Sequence, residues 1–301
     1  MASSSLRLAL GGLELAITAE EAILPPDDES YRGFVSTSAG VPGPEAVRVR
    51  LVVTPTPTGG GRTIFESDAT WTVLADGRRR VILDRPPSGP VLAIHFAPGS
   101  SEVLVECAPE WVEPGPPRAI RSPVRYPFDQ LLAMYLLGRR GLLVHAAGFL
   151  VRGRAVVLPG VSGAGKTTFA RLADGREGWE PLSDDRIIVR LGEHGEGASA
   201  HGTPWPGEGR VAVNRGGPFG GLVFLSQGTT NEVRRLSPAE AAPRLLAAAS
   251  VPWYDADYLD GALQACDRLL ARVPAALLTF RPEPEAVGLV ERVVGDGFAL
   301  S

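Results

Sequence analysis

The run Pro159-Gly160-Val161-Ser162-Gly163-Ala164-Gly165-Lys166-Thr167-Thr168-Phe169 constrains this chain more than any other stretch. Gly160, Gly165, Lys166 and Thr167 fit the phosphate-loop spacing G-x-x-x-x-G-K-[ST]. Apolar Ala155 to Leu158 precede them and a helix-compatible run, Thr167 to Ala173, follows. Backbone N–H groups of such a turn, with the positive end of the new helix, can cradle a triphosphate without side-chain charge. Gly160 through Thr168 are therefore the expected nucleotide-binding residues, with Lys166 reaching the β- and γ-phosphates of ATP and Thr167 on Mg²⁺. A plain turn between a strand and a helix is the alternative. Lys166 is the only lysine, all 29 other basic residues being arginine. A compact ammonium suits phosphate chemistry there better than a planar fork.

Composition narrows the partners. A length of 301 residues allows two ordinary domains. With 44% hydrophobic and 21% charged residues the chain is expected to be globular, not disordered. The net charge of −4 and the scatter of the arginines argue against a nucleic-acid partner. Only Arg78 to Arg80 form a basic run, which reads as a solvated hairpin turn. Cys107 and Cys266 lie too far apart in sequence to make a metal site by themselves. Reduced thiols, no signal-peptide order at the N-terminus and no uninterrupted apolar span suit a cytoplasmic protein without a membrane partner. A homo-oligomer is left open.

From Leu6 to about Cys107 the pattern is short, alternating and β-rich. Leu6, Leu8 and Leu10, then Leu13, Leu15 and Ile17, then Val47, Val49, Leu51 and Val53 keep period two. Thr70 to Leu74 and Arg80 to Leu83 flank an Asp76-Gly77 turn, and Val91 to Phe96 and Glu102 to Cys107 flank Pro98-Gly99-Ser100. His95 reads as a half-buried histidine with a partner. Six prolines from Ala108 through Pro127 argue against both helix and central strand. Residues 108–126 are thus expected to link a β-rich domain, 1–107, to a second domain, 127–301. Pro127 suits a helix start, with Leu131, Leu132, Tyr135 and Leu136 as its apolar face.

Leu142 to Val151 and Ala155 to Leu158 read as strands around the tight turn Arg152-Gly153-Arg154. The strand that feeds the phosphate loop is then half of an antiparallel hairpin, unlike the parallel crossover of commoner P-loop sheets. His145 lies on its first strand. Asp184 and Asp185 follow at the lip of a strand from Ile187 to Leu191. One of such a pair can hold Mg²⁺ while the other accepts a hydroxyl proton, or Asp184 can cap a surface turn. Gly192 to Gly221 reads as a long, permissive loop that covers a ligand. A strand from Leu222, a capping box at Ser237 to Glu240, a helix striped by Leu259, Ala262, Leu263, Cys266, Leu269, Leu270 and Val273, a strand Ala275 to Phe280 and a helix Glu285 to Val294 complete the domain.

Val144-His145-Ala146-Ala147-Gly148-Phe149, then Gly160 to Thr168, then Leu182-Ser183-Asp184-Asp185-Arg186, then Gly202-Thr203-Pro204-Trp205, resemble in that order the catalytic domain of HPr kinase/phosphorylase and its relatives. These include serine kinases of peptide-modification clusters, such as lasso-peptide precursor kinases. The resemblance covers roughly Pro123 to Val294. It implies an α/β, mixed-sheet P-loop kinase fold shared distantly with phosphoenolpyruvate carboxykinase, here behind an N-terminal β-rich domain. It also implies ATP and Mg²⁺ as cofactors and transfer of the γ-phosphate to a hydroxyl, a Ser or Thr of a protein or peptide. Catalytic roles fall to Asp184 as base, His145 as helper and Lys166, with Thr167 and Asp185 at the metal. Thr167-Thr168 stands where the bifunctional enzymes carry Ser or Thr followed by Glu, and Val213-Asn214-Arg215-Gly216 only partly echoes their Glu-x-Arg-Gly. These departures argue against HPr as substrate and against phosphorylase activity. A small-molecule hydroxyl kinase and a non-catalytic ATP-binding regulator are the alternatives. The β-rich domain is expected to recognise an extended peptide by β-augmentation, or else to act as a structural cap.

Overall fold

A computed structural model describes residues 4–36, 46–67, 71–97, 99–192 and 197–297. The chain divides into two compact units, Met1–Leu136 with Trp253–Ala256, and Leu137–Pro252 with Asp257–Ser301.

In the first unit the period-two stretches become strands. Its elements are β1 (Ser4–Leu10), β2 (Leu13–Ala19), β3 (Ala22–Leu24), β4 (Val35–Ser36), β5 (Val47–Val53), β6 (Arg62–Glu66), β7 (Trp71–Asp76), β8 (Arg79–Asp84), β9 (Leu92–Phe96), β10 (Glu102–Cys107), β11 (Val112–Glu113), β12 (Ala119–Arg121) and α1 (Phe128–Leu137). The main sheet runs β4-β1-β2-β5-β10-β9-β8-β7-β6, parallel only at β2–β5 and β5–β10. Leu6, Leu8, Leu10, Leu15 and Ile17 alternate onto its buried face, so a one-residue slip of β1 on β2 would turn the whole set to water. His95 is half-buried, with Nε2 3.4 Å from Glu106 Oε2. Thr70 and Pro98 lie outside the described residues.

Two expectations fail in this unit. Arg80 is not part of a solvated turn: it is 3% exposed and makes a two-pronged bridge to Asp255, Nε to Oδ2 at 2.5 Å and Nη2 to Oδ1 at 2.8 Å. Asp255 is far away in sequence, so no local pattern announces the pairing. Nor is 108–126 a bare linker, because β12 is the central strand of a small sheet, β11-β12-β3. Its three residues fit between Pro117 and Pro123, so the prolines bound the strand and do not interrupt it.

The second unit contains β13 (Gly141–Val151), β14 (Arg154–Pro159), α2 (Lys166–Ala173), β15 (Trp179–Ser183), β16 (Arg186–Leu191), β17 (Ala198–Gly202), β18 (Gly216–Gln227), β19 (Glu232–Leu236), α3 (Pro238–Ala248), β20 (Ala249–Ser250), α4 (Ala256–Leu270), β21 (Ala275–Phe280) and α5 (Pro284–Gly295). The hairpin β13–β14 is antiparallel, as its tight turn requires, and β14 also pairs in parallel with β18. Strand β13 changes partner along its length. Gly141 to His145 pair with β16, whereas Ala146 to Val151 pair with β14. The sheet therefore forks between His145 and Ala146.

Helices cover both faces of this sheet. Ala241, Leu245, Ala262, Cys266 and Leu269 of α3 and α4 pack with Val144, Ile187 and Leu222 on one side. Phe169, Ala173, Val287, Val290 and Val294 of α2 and α5 pack with Phe149, Val156 and Leu158 on the other. Each fully buried Val, Leu, Ile or Phe among them contributes about 1.5–3 kcal/mol. Helix α3 starts with the expected capping box, the Ser237 Oγ accepting from Glu240 N–H while the Glu240 carboxylate accepts from Ser237 N–H. The striped helix is α4, but Leu263 is 38% exposed and off its buried face.

The stretch from Gly192 to Gly221 is not one long loop. β17 and the first residues of β18 occupy much of it, and 193–196 lie outside the described residues. Glycine there marks close packing: a Cβ on Gly216 would lie 2.1 Å from the His201 ring. The chain is a mixed α/β protein, with an N-terminal β-rich sheet and a C-terminal mixed sheet with helices. Among the described residues no helix is long and apolar enough to cross a membrane.

Candidate functional site

β14 ends at Pro159 and α2 begins at Lys166, so Gly160 to Gly165 form the whole turn between them. Gly165 caps the helix at φ 97°, and a Cβ there would also meet the Phe280 ring at 3.1 Å. An L side chain is disfavoured on both counts. The first N–H groups of α2 have no intrahelical partner, and the aligned peptide dipoles make that end positive. Val161, Ser162, Gly163, Thr167 and Thr168 are exposed around it, and Ala164 is half-buried.

Lys166 is different. Only 8% exposed, it folds back on the turn, Nζ donating to Gly160 O at 2.6 Å and to Val161 O at 3.2 Å. Burial pushes the ammonium below the usual lysine range, Asp185 opposes that shift and Arg186 adds to it. Neutral carbonyls hold this cation, and anionic oxygens would be stronger acceptors for it.

At the fork the main chain pins three pieces together. Gly160 N–H donates to His145 O at 3.1 Å, and Ala146 N–H donates to Asp185 O at 3.0 Å. The His145 Nε2 then lies 3.0 Å from Asp185 Oδ1, and Arg186 Nη1 lies 2.8 Å from Asp185 Oδ2. Burial, then the charges of Lys166 and Arg186, lower the His145 pKa below its ordinary value against the pull of Asp185. At neutral pH the imidazole is uncharged, hydrogen-bonded to a carboxylate.

Asp184 faces another way. Its Oδ1 accepts from the N–H groups of Gly207 at 2.9 Å and Val211 at 3.2 Å, and its Oδ2 from Gly209 N–H at 2.6 Å. The carboxylate thus clasps the 207–211 turn. A Cβ on residue 209 would lie 2.7 Å from Asp184 Oδ2, so glycine lets the backbone come this close. These donors sit 23 to 27 residues from Asp184, beyond the reach of any local motif. The one cue in the sequence was the glycine spacing itself, Gly207 and Gly209.

Thr167, Ser183 and Asp184 line a cavity of about 340 Å³ along α2. Among the described residues no three His, Cys, Asp or Glu side chains are grouped to hold a metal ion. Mg²⁺ does not require such a group when phosphate and water supply most of its ligands. The exposed Thr167 hydroxyl and the neighbouring Asp184 carboxylate are hard oxygen donors of the type it takes.

Fold and site define a mixed α/β protein with a strand, glycine-rich turn and helix set against a fork in its sheet. The sequence is similar to the family model of SynChlorMet cassette protein ScmC over residues 130–275, a span that includes the turn, the fork and the acidic pair. This corrects the motif resemblance: over that span the similarity is to the ScmC model, and no HPr kinase family model matches. Short motifs around a phosphate-type turn recur across many sites, so their order alone was too weak to separate families. No curated protein matches the sequence.

Proposed function

We propose that the second unit is a P-loop phosphotransferase that binds ATP on Gly160 to Thr168 and passes its γ-phosphate to a hydroxyl. One observation carries the reading. The sole lysine is buried at the mouth of a helix N-terminus and, among the described residues, is hydrogen-bonded to two loop carbonyls, an arrangement that a polyphosphate improves and that a structural turn does not need.

Phosphoryl transfer asks a protein mainly for positioning and charge compensation. The turn amides and Lys166 hold the donor phosphates and offset their charge. Asp185 receives the acceptor proton, because its carboxylate is hydrogen-bonded to a neutral imidazole that can share the charge change, while Arg186 fixes its orientation. Asp184 holds the 207–211 turn beside the cavity. Thr167 and Asp184 would hold Mg²⁺, which supplies charge neutralisation at the phosphates. The opposite order of roles, with Asp184 as base and Asp185 at the metal, would ask the Asp184 carboxylate to turn away from the three backbone N–H groups it accepts from, whereas a metal contact at its remaining lone pair would not.

The test is Asp185→Asn, read as ADP release from Mg-ATP with hydroxyl acceptors. Turnover should fall by about 10² or more, the scale of losing a general base, with ATP affinity kept within a few-fold. Unchanged turnover in this variant would remove Asp185 from the chemistry.

A further inference from the structure

The cavity beside Thr167 extends beyond the residues assigned to the donor phosphates and Mg²⁺, which touch it only at Thr167 and Asp184. Helix α2 gives one wall, Thr167, Ala170 and Arg171 on a single face at helical spacing, extended by its C-cap residue Asp174. Phe149, Trp179 and Pro181 from β13 and β15 give an apolar wall opposite. Glu208, Gly209 and Val211 close the third side, held there by Asp184. The slot thus runs from the proposed phosphate site down the length of α2.

We propose that this slot binds the phosphate acceptor, an alcohol of about amino-acid size that carries an apolar, ring-sized body and a cationic nitrogen. The inference rests on the phosphotransferase reading. The size follows from the volume of about 340 Å³, and the apolar body from the aromatic and proline wall. Three acidic residues, Asp174, Asp184 and Glu208, line the slot against one basic residue, Arg171, so its charge balance favours a cation, and the Trp179 ring adds to that preference. The Trp179 indole N–H is buried and has no hydrogen-bond partner among the described residues, so this wall of the slot carries an uncompensated donor whose resonance reports on what packs against the ring. The hydroxyl belongs at the Thr167 end. Asp185, the proposed base, is the chain neighbour of Asp184 in the lining, and Gly207 lies against both: a Cβ on it would be 3.1 Å from Asp184 Oδ2 and 3.1 Å from Asp185 Cβ. The same chemistry occurs in a free amino alcohol and in a serine beside an aromatic residue at a peptide terminus.

Two probes separate these sources, phenylalaninol and the dipeptide amide Ser-Phe-NH₂, each titrated into the full chain while the Trp179 indole N–H resonance is followed. At least one should shift that resonance saturably and raise ADP release from Mg-ATP. Response to phenylalaninol alone identifies a free alcohol, and response to the dipeptide alone a peptide residue. Ala170→Phe, which fills the slot from α2, should weaken probe binding at least about tenfold, the scale of overpacking a fitted site. Glu208→Lys, on an exposed turn, should weaken it about fivefold, the scale of one partly exposed ion pair. Both should leave Mg-ATP affinity within about twofold, a readout that also excludes misfolding. Absence of saturable binding by either probe, or wild-type binding in Ala170→Phe, overturns the slot as acceptor site. Probe binding without any Mg-ATP binding overturns the phosphotransferase reading, and the acceptor role with it.

Discussion

Asp184→Asn isolates the clasp on the 207–211 turn. In the native chain the carboxylate takes three backbone N–H bonds, from Gly207, Gly209 and Val211. Bonds to a charged acceptor contribute about 1.5–3 kcal/mol each when buried. Asp184 is only half-buried, and amides released from it regain water. Asparagine keeps one oxygen for two of the donors but sets its NH₂ against the Gly209 N–H, now 2.6 Å from Oδ2. The net loss works out at about 2 kcal/mol, or about 30-fold in the opening equilibrium of the turn, at 1.36 kcal/mol per factor of ten. Arg210, exposed and at φ 54°, provides the assay, because trypsin can cut after it only when the turn opens. Under mild digestion the rate of that cleavage tracks the open population. Mass spectrometry should show the 1–210 fragment forming about 30 times faster in the variant, with cuts elsewhere unchanged. Cleavage within twofold of wild type would refute the clasp.

Further outcomes follow from buried charge. Arg80→Ala leaves Asp255, 3% exposed, without its partner, and should cost the first unit about 3–5 kcal/mol by denaturant unfolding. A loss below 1 kcal/mol would mean that water reaches the site. The pKa of His201 is held below its ordinary value first by burial and then by Arg190, and that of His145 is lowered as well. Between those lowered values and about 6.5 the unfolded chain binds more protons than the folded one, so stability falls as pH drops through that window and is full above it. Urea midpoints should decline from pH 7 to 5.5, and less steeply in His201→Gln; an unchanged slope would clear His201 of the effect.

Much of the fold was legible because it was local. Period-two runs, the Asp76-Gly77 and Arg152-Gly153 turns and the capping box at Ser237 are each set within a few residues. The phosphate-type turn was legible for the same reason. What escaped was non-local: Arg80 reaching Asp255, Asp184 reaching Gly207 to Val211, and the fork at His145, which depends on three strands pairing with one. Glycine misled where it marks close packing instead of freedom, as at Gly216 beside His201. The acidic pair was found by spacing, but its division of labour depends on which neighbour each carboxylate meets.

The most direct measurement is calorimetric titration of the full chain with Mg-ATP, beside Lys166→Ala. The account predicts saturable binding to the wild type, weaker by at least about 100-fold in the variant, the scale of losing a buried charge-assisted contact, at an unchanged unfolding midpoint. Equal affinity in the two proteins, or no binding by the wild type, would contradict it.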